Sequence, residues 1–559
     1  MDRHRPAVSR AVQLAGRGLL LVPLLFLILF FFYPLATIFS VSLAPEGTLD
    51  LSGLGALATF NDILWFTIGQ ALLSTFLTLV LALGTAFVFV RFEFPGKALL
   101  LSLSTLAFVL PTVVVAAAFK ALIGERGLVN QALMSVLQLE APPIQLERTL
   151  TLILIVHVFY NFAVALRLLT SFWANQSPRM EEAARVLGAH GWRLWWEIRL
   201  PVLRPAILAS SVLVFIFTFT SFGVIIILGG PQYATLEVEI YQQAVNLFNL
   251  PVAAGLSLAQ IGLMFAMMIV YTRLQRQIPL DLQSTRQVAR PPRTRHERWL
   301  VRGTVVVMLV LLFAPLGALA IRSVMGTEGF TLRYYQELGM NARRSVLFVP
   351  PIQSIGNSLA FALATTVMAV TLGMLTAYLL GRNPTRWARW LDPVFMLPLA
   401  TSAVTLGFGF ILALDEPPLN LRTSPVLIPI AHTLVAMPFV VRSVLPALHS
   451  IPASLLDSGR TLGAAPWQVW RWIELPLISR GVLVGATFAF TISMGEFGAS
   501  LFVVRPNTPT MPVVIFRLLS QPGALNLGQA MAMSTLLMAV CAVSFIAIER
   551  LRTAGVGEF

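Results

Sequence analysis

Charge is scarce in this chain. Only 11% of its 559 residues are Asp, Glu, Lys or Arg, against roughly 25% in a soluble domain, while 57% are hydrophobic and the mean hydropathy is +0.81. That balance excludes a soluble globular protein and points to many membrane spans. Lysine is nearly missing: Lys97 and Lys120 are the only two, so 37 of the 39 basic residues are arginine. Neither sits in a G-x-x-x-x-G-K-[ST] phosphate loop, since Lys97 follows Gly96 but precedes Ala98, and the chain is expected to bind no nucleotide of its own. The single cysteine, Cys541, lies in an apolar run, which excludes a disulfide framework and a cysteine metal site. The net charge of +14 is spread between apolar runs, with no basic stretch interleaved with aromatics, so a nucleic-acid surface is excluded as well. Clustered nucleophiles, His-Glu zinc spacing and paired carboxylates are lacking too, which argues against a membrane-embedded enzyme.

What is present is a series of apolar runs, each long enough to cross ~30 Å of hydrocarbon. They fall at about 18–42, 63–90, 98–119, 149–173, 203–228 and 252–272, then at 299–321, 354–381, 391–414, 425–448, 479–503 and 525–548. No barrel-type alternation is visible, so the spans are expected to be helical. The first follows Arg3, Arg5, Arg10 and Arg17 and is too long for a signal-peptide core; it reads as an uncleaved span. The expected fold is an all-α membrane protein of about twelve helices in two parallel, homologous six-helix halves, 1–272 and 299–559. A polar connector at 273–298, with Pro279, Pro291, Pro292 and seven arginines, joins them. Counted with the N-terminus inside, inner segments carry 26 Arg or Lys and outer loops 10, which places both termini and the connector in the cytoplasm. The outer segment from Arg322 to Gln353 fits that rule worst and reads as a small folded excursion.

One stretch occurs twice, 275 residues apart. The first copy (about 177–205) reads Glu182-Ala183-Ala184, Gly188, Ile198 and Leu200-Pro201; the second (about 452–480) reads Asp457-Ser458-Gly459, Gly463, Ile473 and Leu475-Pro476. From Arg185 to Pro201, nine of seventeen positions are identical to the second copy. Other pairs keep the offset, among them His157 and His432, and Phe222-Gly223 and Phe497-Gly498. Upstream the offset becomes 287 (Gly69 with Gly356, Pro111 with Pro398), so about twelve extra residues are expected between Gly124 and Arg148.

Each copy reads as two short helices around a glycine. Ser177 is placed to cap the first helix, and Met180, Ala183, Ala184 and Leu187 make a narrow apolar stripe at helical spacing. Gly188 and Gly463 suit a left-handed helix stop, and Pro201 and Pro476 restart the chain into the next span. Small residues at Ala183, Ala184, Ser458 and Gly459 would let another surface approach. An interfacial helix with tryptophans at headgroup depth is the plainer alternative. Duplication at matched spacing, with an acid kept at Glu182 and Asp457, favours a paired docking surface for a two-fold symmetric partner.

These residues resemble the EAA loop of type I ABC importer permeases, at that family's full spacing; Asp457-Ser458-Gly459 departs from it while keeping the Gly, Ile and Leu-Pro frame. The resemblance covers both halves. A fused, double-length permease is similar to the thiamine and iron(III) group, as is Ser221-Phe222-Gly223 through Gly229-Gly230-Pro231 to Ala234-Thr235-Leu236-Glu237. It implies a multi-pass inner-membrane subunit that brings a small cationic solute into the cytoplasm and binds no cofactor. ATP and magnesium would sit on two cytoplasmic ATPase subunits held at the two loops, and an extracytoplasmic binding protein would deliver cargo.

Among the remaining polar residues, His157 and His432 read as packing histidines bonded to neighbouring helices, and Asn161 as a bridge between helices. Glu496 lies within the eleventh span and its counterpart is Ser221. A carboxylate at that depth costs roughly 3 kcal/mol and is functional by default, so both residues are candidates for the translocation pathway. A hydrogen-bonded structural glutamate is the alternative. The rival class, an ion-gradient-driven secondary transporter of two six-span bundles, would need relay residues deep in several spans.

Overall fold

The computed structural model describes residues 18, 21–43, 59–275, 289–326, 329–340, 347–382, 386–415, 417 and 419–553. The basic N-terminal segment, the 276–288 part of the connector and residues 554–559 lie outside them. Among the described residues ten helices are long and apolar enough to span a membrane alone: Val22–Leu43, Asn61–Arg91, Leu150–Ala174, Gly191–Phe219, Leu250–Leu274, Arg295–Val324, Gln353–Arg382, Leu427–His449, Pro466–Gly495 and Ala524–Arg550. Two further crossings are made by bent pairs: Lys97–Val109 with Thr112–Leu137, bent by 106°, and Leu391–Leu399 with Ala403–Ala413, bent by 95°. The next helix of each half, Leu150–Ala174 or Leu427–His449, runs into a repeated loop, so each bent pair must cross to the far face. The result is six crossings per half, with both loops on one face.

The two bends have different causes. Pro111 offers no N–H and pushes Leu110 into an extended conformation, which ends the first limb. In the second half the matched proline, Pro398, stays inside Arg386–Ala400, and the break comes later, at Ser402. There the Ser402 hydroxyl accepts from the Val404 N–H at 3.1 Å and caps the next limb. The fifth and eleventh spans are also interrupted, after Phe219 and Gly495. Short helices Gly223–Leu228 and Gly498–Val503 follow. The extra residues of the first half form the far-face helix Leu128–Leu137.

Small residues set the packing, as they must where lipid and side chain are equally apolar. A Cβ on Gly373 would lie 2.7 Å from Val440, and one on Gly485 3.1 Å from its Cα, so three spans of the second half close around that valine. Each half also lends its first helix to the other. Val22–Leu43 packs on Ala403–Ala413, with Pro34 and Ile38 against Gly409, and Arg295–Val324 packs on Thr112–Ile123. The 322–353 excursion has a two-residue hairpin, Met325–Gly326 with Gly329–Phe330, and the helix Arg333–Gln336; Gln529 holds it to the last span by donating to the Glu337 carbonyl at 3.1 Å. The connector's described end is pinned to the first half: Glu93 N–H donates to the Arg290 carbonyl at 2.9 Å, and Arg290 N–H to that of Arg91 at 3.2 Å.

Candidate functional site

The two repeated loops have the same backbone architecture. Helix Arg179–Val186 ends at Gly188, whose φ of +89° is matched by +88° at Gly463, after Ala453–Thr461. The closing hydrogen bonds repeat too. Ala189 N–H donates to the Ala184 carbonyl at 2.9 Å and Gly188 N–H to Arg185 at 3.0 Å; Ala464 donates to Gly459 at 3.1 Å and Gly463 to Arg460 at 3.0 Å. Both glycines therefore hold the left-handed position that turns the chain into its second helix. Ser177 contributes little at the other end, since its hydroxyl accepts a long 3.4 Å bond from Arg179 N–H. Pro201 and Pro476 do not restart the chain. Each follows a π-turn, Trp195–Arg199 or Trp470–Glu474, which absorbs the missing N–H inside one continuous helix.

The stripe read from sequence divides in two. Met180, Ala183 and Leu187 face outward with Glu182, and so do Leu455, Asp457, Ser458 and Leu462; Leu187 and Leu462 are each 87% exposed. Ala184 turns inward with Ala189 and Leu194, and Ile198 packs on them. Gly459 turns inward as well: a Cβ there would lie 2.7 Å from Ile473 Cδ1. Smallness at Ala184 and Gly459 thus serves each loop's own packing, while Ala183 and Ser458 are open to approach. Leu200 and Leu475 are half-buried at the start of the following span. Trp192 and Trp467 are exposed, whereas Trp195 is half-buried against Phe87 and Trp173.

Charge ties the loops to the spans in two ways. In the first, buried Arg199 donates to Glu181 at 2.6 Å; Arg185 also pairs with that carboxylate, and Arg91 at the end of the second span lies 3.9 Å away. Burial pushes the Glu181 carboxyl up, but the bonds and charges of Arg199 and Arg185 outweigh it and hold it below the ordinary carboxylate range. In the second loop the position equivalent to Arg199 is Glu474, which pairs at 2.9 Å with Arg382, at the end of Gln353–Arg382. Leu456 takes the place of Glu181.

The four helix breaks converge elsewhere, on one cavity of about 340 Å³ between the halves. Phe222 and Phe497, equivalent residues, stack at 5.5 Å, so the pseudo-two-fold axis passes between them; Tyr241 on one side and Phe516 on the other extend the row. Gly495 and Gly498 permit close approach, with a Cβ meeting Pro111 at 3.0 Å and Ala403 at 3.1 Å respectively. Ser221 and Glu496 both line the cavity. His157 bridges Ser74 and Ser221 at 3.1 and 2.8 Å, and His432 bridges Ser493 and Ser500 at 2.7 and 2.8 Å, which are the helix-to-helix bonds read from sequence. Asn161 differs: its amide donates to His157 in its own helix. Glu237 was missed as a site residue. The segment 229–251 reads as an outer loop, but Leu236–Tyr241 folds back into the protein and places Glu237 on the cavity wall. Its sequence signal was the acid between the apolar residues Leu236 and Val238. Among the described residues that line the cavity there are two carboxylates, five aromatic rings and no Arg or Lys.

Comparison with known proteins agrees with this architecture. The family model described as "Binding-protein-dependent transport system inner membrane component" matches twice, over residues 74–279 and 369–553. The thiamine transport system permease protein of Salmonella typhimurium is 28% identical over 531 residues, covering 92% of this chain and 95% of its own. The Escherichia coli protein of that name is 26% identical (87% and 88% covered), and that of Haemophilus influenzae 25% (95% of each). With one match to each half and both loops intact, the chain belongs to the binding-protein-dependent transport system inner membrane components, as a fused, double-length permease of an ABC importer.

Proposed function

We propose that this permease carries thiamine, with its two loops docked on a pair of cytoplasmic ATPase subunits and its far face receiving a loaded binding protein. The observation that carries the cargo reading is the cavity lining: two carboxylates and the rings of five Phe and Tyr residues, with no Arg or Lys among the described lining residues, favour an organic cation with a flat ring. Iron(III) is less well matched, because among the described residues no three His, Cys, Asp or Glu side chains gather into a hard-ligand group. The relatives' names support the same choice.

Each exposed loop offers a protruding apolar residue beside an acid, Leu187 with Glu182 and Leu462 with Asp457, on a helix held by its left-handed stop. A partner that moves these loops apart or together moves the spans fused to them, since Gly191–Phe219 and Pro466–Gly495 run from loop to cavity without a joint. ATP binding and hydrolysis on the partners would rock the halves about the Phe222–Phe497 contact and open the cavity to one face at a time. The basic asymmetry of 26 to 10 supports a cytoplasmic position for the loops, the connector and both termini. Vesicles holding the permease and its ATPase, with binding protein outside, should accumulate labelled thiamine only when ATP is enclosed. Absence of ATP-dependent thiamine uptake would refute the cargo reading.

A further inference from the structure

The two carboxylates of the cavity are used differently. Glu496 is saturated: Oε1 accepts from the Ala499 N–H at 2.8 Å, and Oε2 from the Ser500 N–H at 2.9 Å and its hydroxyl at 2.7 Å, with His432 Nε2 3.3 Å away. It caps Gly498–Val503. Glu237 is fully buried and receives two neutral side-chain donors, the Gln260 amide and the Ser402 hydroxyl, the latter at 2.7 Å. Among the described residues no basic side chain pairs with it, and the carbonyl oxygen of Gln260 is itself buried without a partner. Glu237 thus brings a carboxylate to the wall with no positive charge beside it, at a depth where carboxylates are paired or functional. Nor does the fold demand an acid here. The equivalent helix, Met511–Leu519, begins in the same way after Thr510 and carries Pro512 at the matching position.

We propose that Glu237 anchors the positive charge of the cargo in this cavity, and that cargo arrival exchanges the Ser402 hydroxyl for that charge. This assignment rests on the thiamine reading above. Ser402 forms the cap at the 95° bend of the second half, whereas Glu237 belongs to the first, so their bond joins the halves. Loading would release that bond. Phe222 and Phe497, stacked on one another, line the same cavity.

The test uses the assembled transporter in vesicles, with saturating thiamine-loaded binding protein, and reads uptake and stimulated ATP hydrolysis together. Glu237→Gln is expected to lose at least about tenfold in thiamine moved per ATP. Glu237→Asp, which keeps the charge, is expected to recover much of that loss. Unchanged uptake in the Gln variant, an Asp variant no better than Gln, or a parallel fall in uptake and hydrolysis would overturn the assignment. A Gln variant that fails to assemble where Asp assembles would assign the charge to folding and overturn it too. If the unsubstituted transporter moves no thiamine, the cargo reading fails first, and that result is read without any variant.

Discussion

Replacing Gly188 or Gly463 with valine tests the loops through backbone geometry alone. At φ near +88° a Cβ is strained by its own carbonyl, yet nothing lies within 4 Å of where it would sit at either position. Steric clash with neighbours is thus removed from the comparison. The left-handed conformation costs a non-glycine residue roughly 1–2 kcal/mol, and more when β-branched; that is a factor of about 5–30 in the population of the correctly turned loop. Losing the closing bonds from Ala189 and Gly188 would add about 1 kcal/mol each. Asparagine tolerates the left-handed region and serves as the control. Membrane abundance should be unchanged in every variant, whereas ATPase recovered with the purified permease should fall for valine and hold for asparagine. Valine binding ATPase as well as asparagine would refute the idea that the glycine positions the docking helix.

Other outcomes follow from side chains already placed. Gly459→Ala should destabilise the second loop by about 1 kcal/mol, and Ile473→Val, which removes the crowded Cδ1, should suppress that loss in a double-mutant cycle read by thermal unfolding. Glu181 has a depressed folded pKa, so its contribution is fully present above about pH 4.3 and is lost as pH falls through the lower folded value. The unfolding-temperature gap between wild type and Glu181→Gln should be widest near pH 7 and narrow below about pH 4.3; a gap that widens in acid would show the sign to be wrong. Glu496→Gln turns an amide toward N–H donors and should cost about 1–3 kcal/mol of stability, slowing transport while capture by the binding protein stays unchanged. Reporters fused at exposed Leu139 and at Gln283 should lie on opposite sides of the membrane, and the same side for both would end the six-plus-six topology.

Periodicity and spacing carried much of this molecule. The constant 275-residue offset located two loops whose capping bonds proved to repeat, because glycine's left-handed preference is local and needs no tertiary context. The breaks were harder to read. Residues 203–228 read as one largely apolar run, since an interruption buried in protein is lined with much the same side chains as a helix facing lipid; Thr218, Thr220 and Ser221 are the only polar mark of the break, and Thr220 to Phe222 carry no proline. Pro398 misdirects, as neighbouring packing keeps it helical while Ser402 makes the turn. Glu237 sits after Gly229-Gly230-Pro231, local loop chemistry that gives no sign of the chain folding back toward Gln260 and Ser402.

The opposite charges at Arg199 and Glu474 bear on how such duplicated halves can diverge. Changing Arg199 alone to the acid found in its twin would set two carboxylates together at Glu181, and changing Glu474 alone to arginine would face it with Arg382. Either step is uphill by itself, so the partner residue must change first or with it. Across related genes, then, the identity at position 199 should covary with position 181, and that at 474 with 382. Gene conversion that harmonises single codons between the halves should be selected against, although the two loops share one backbone.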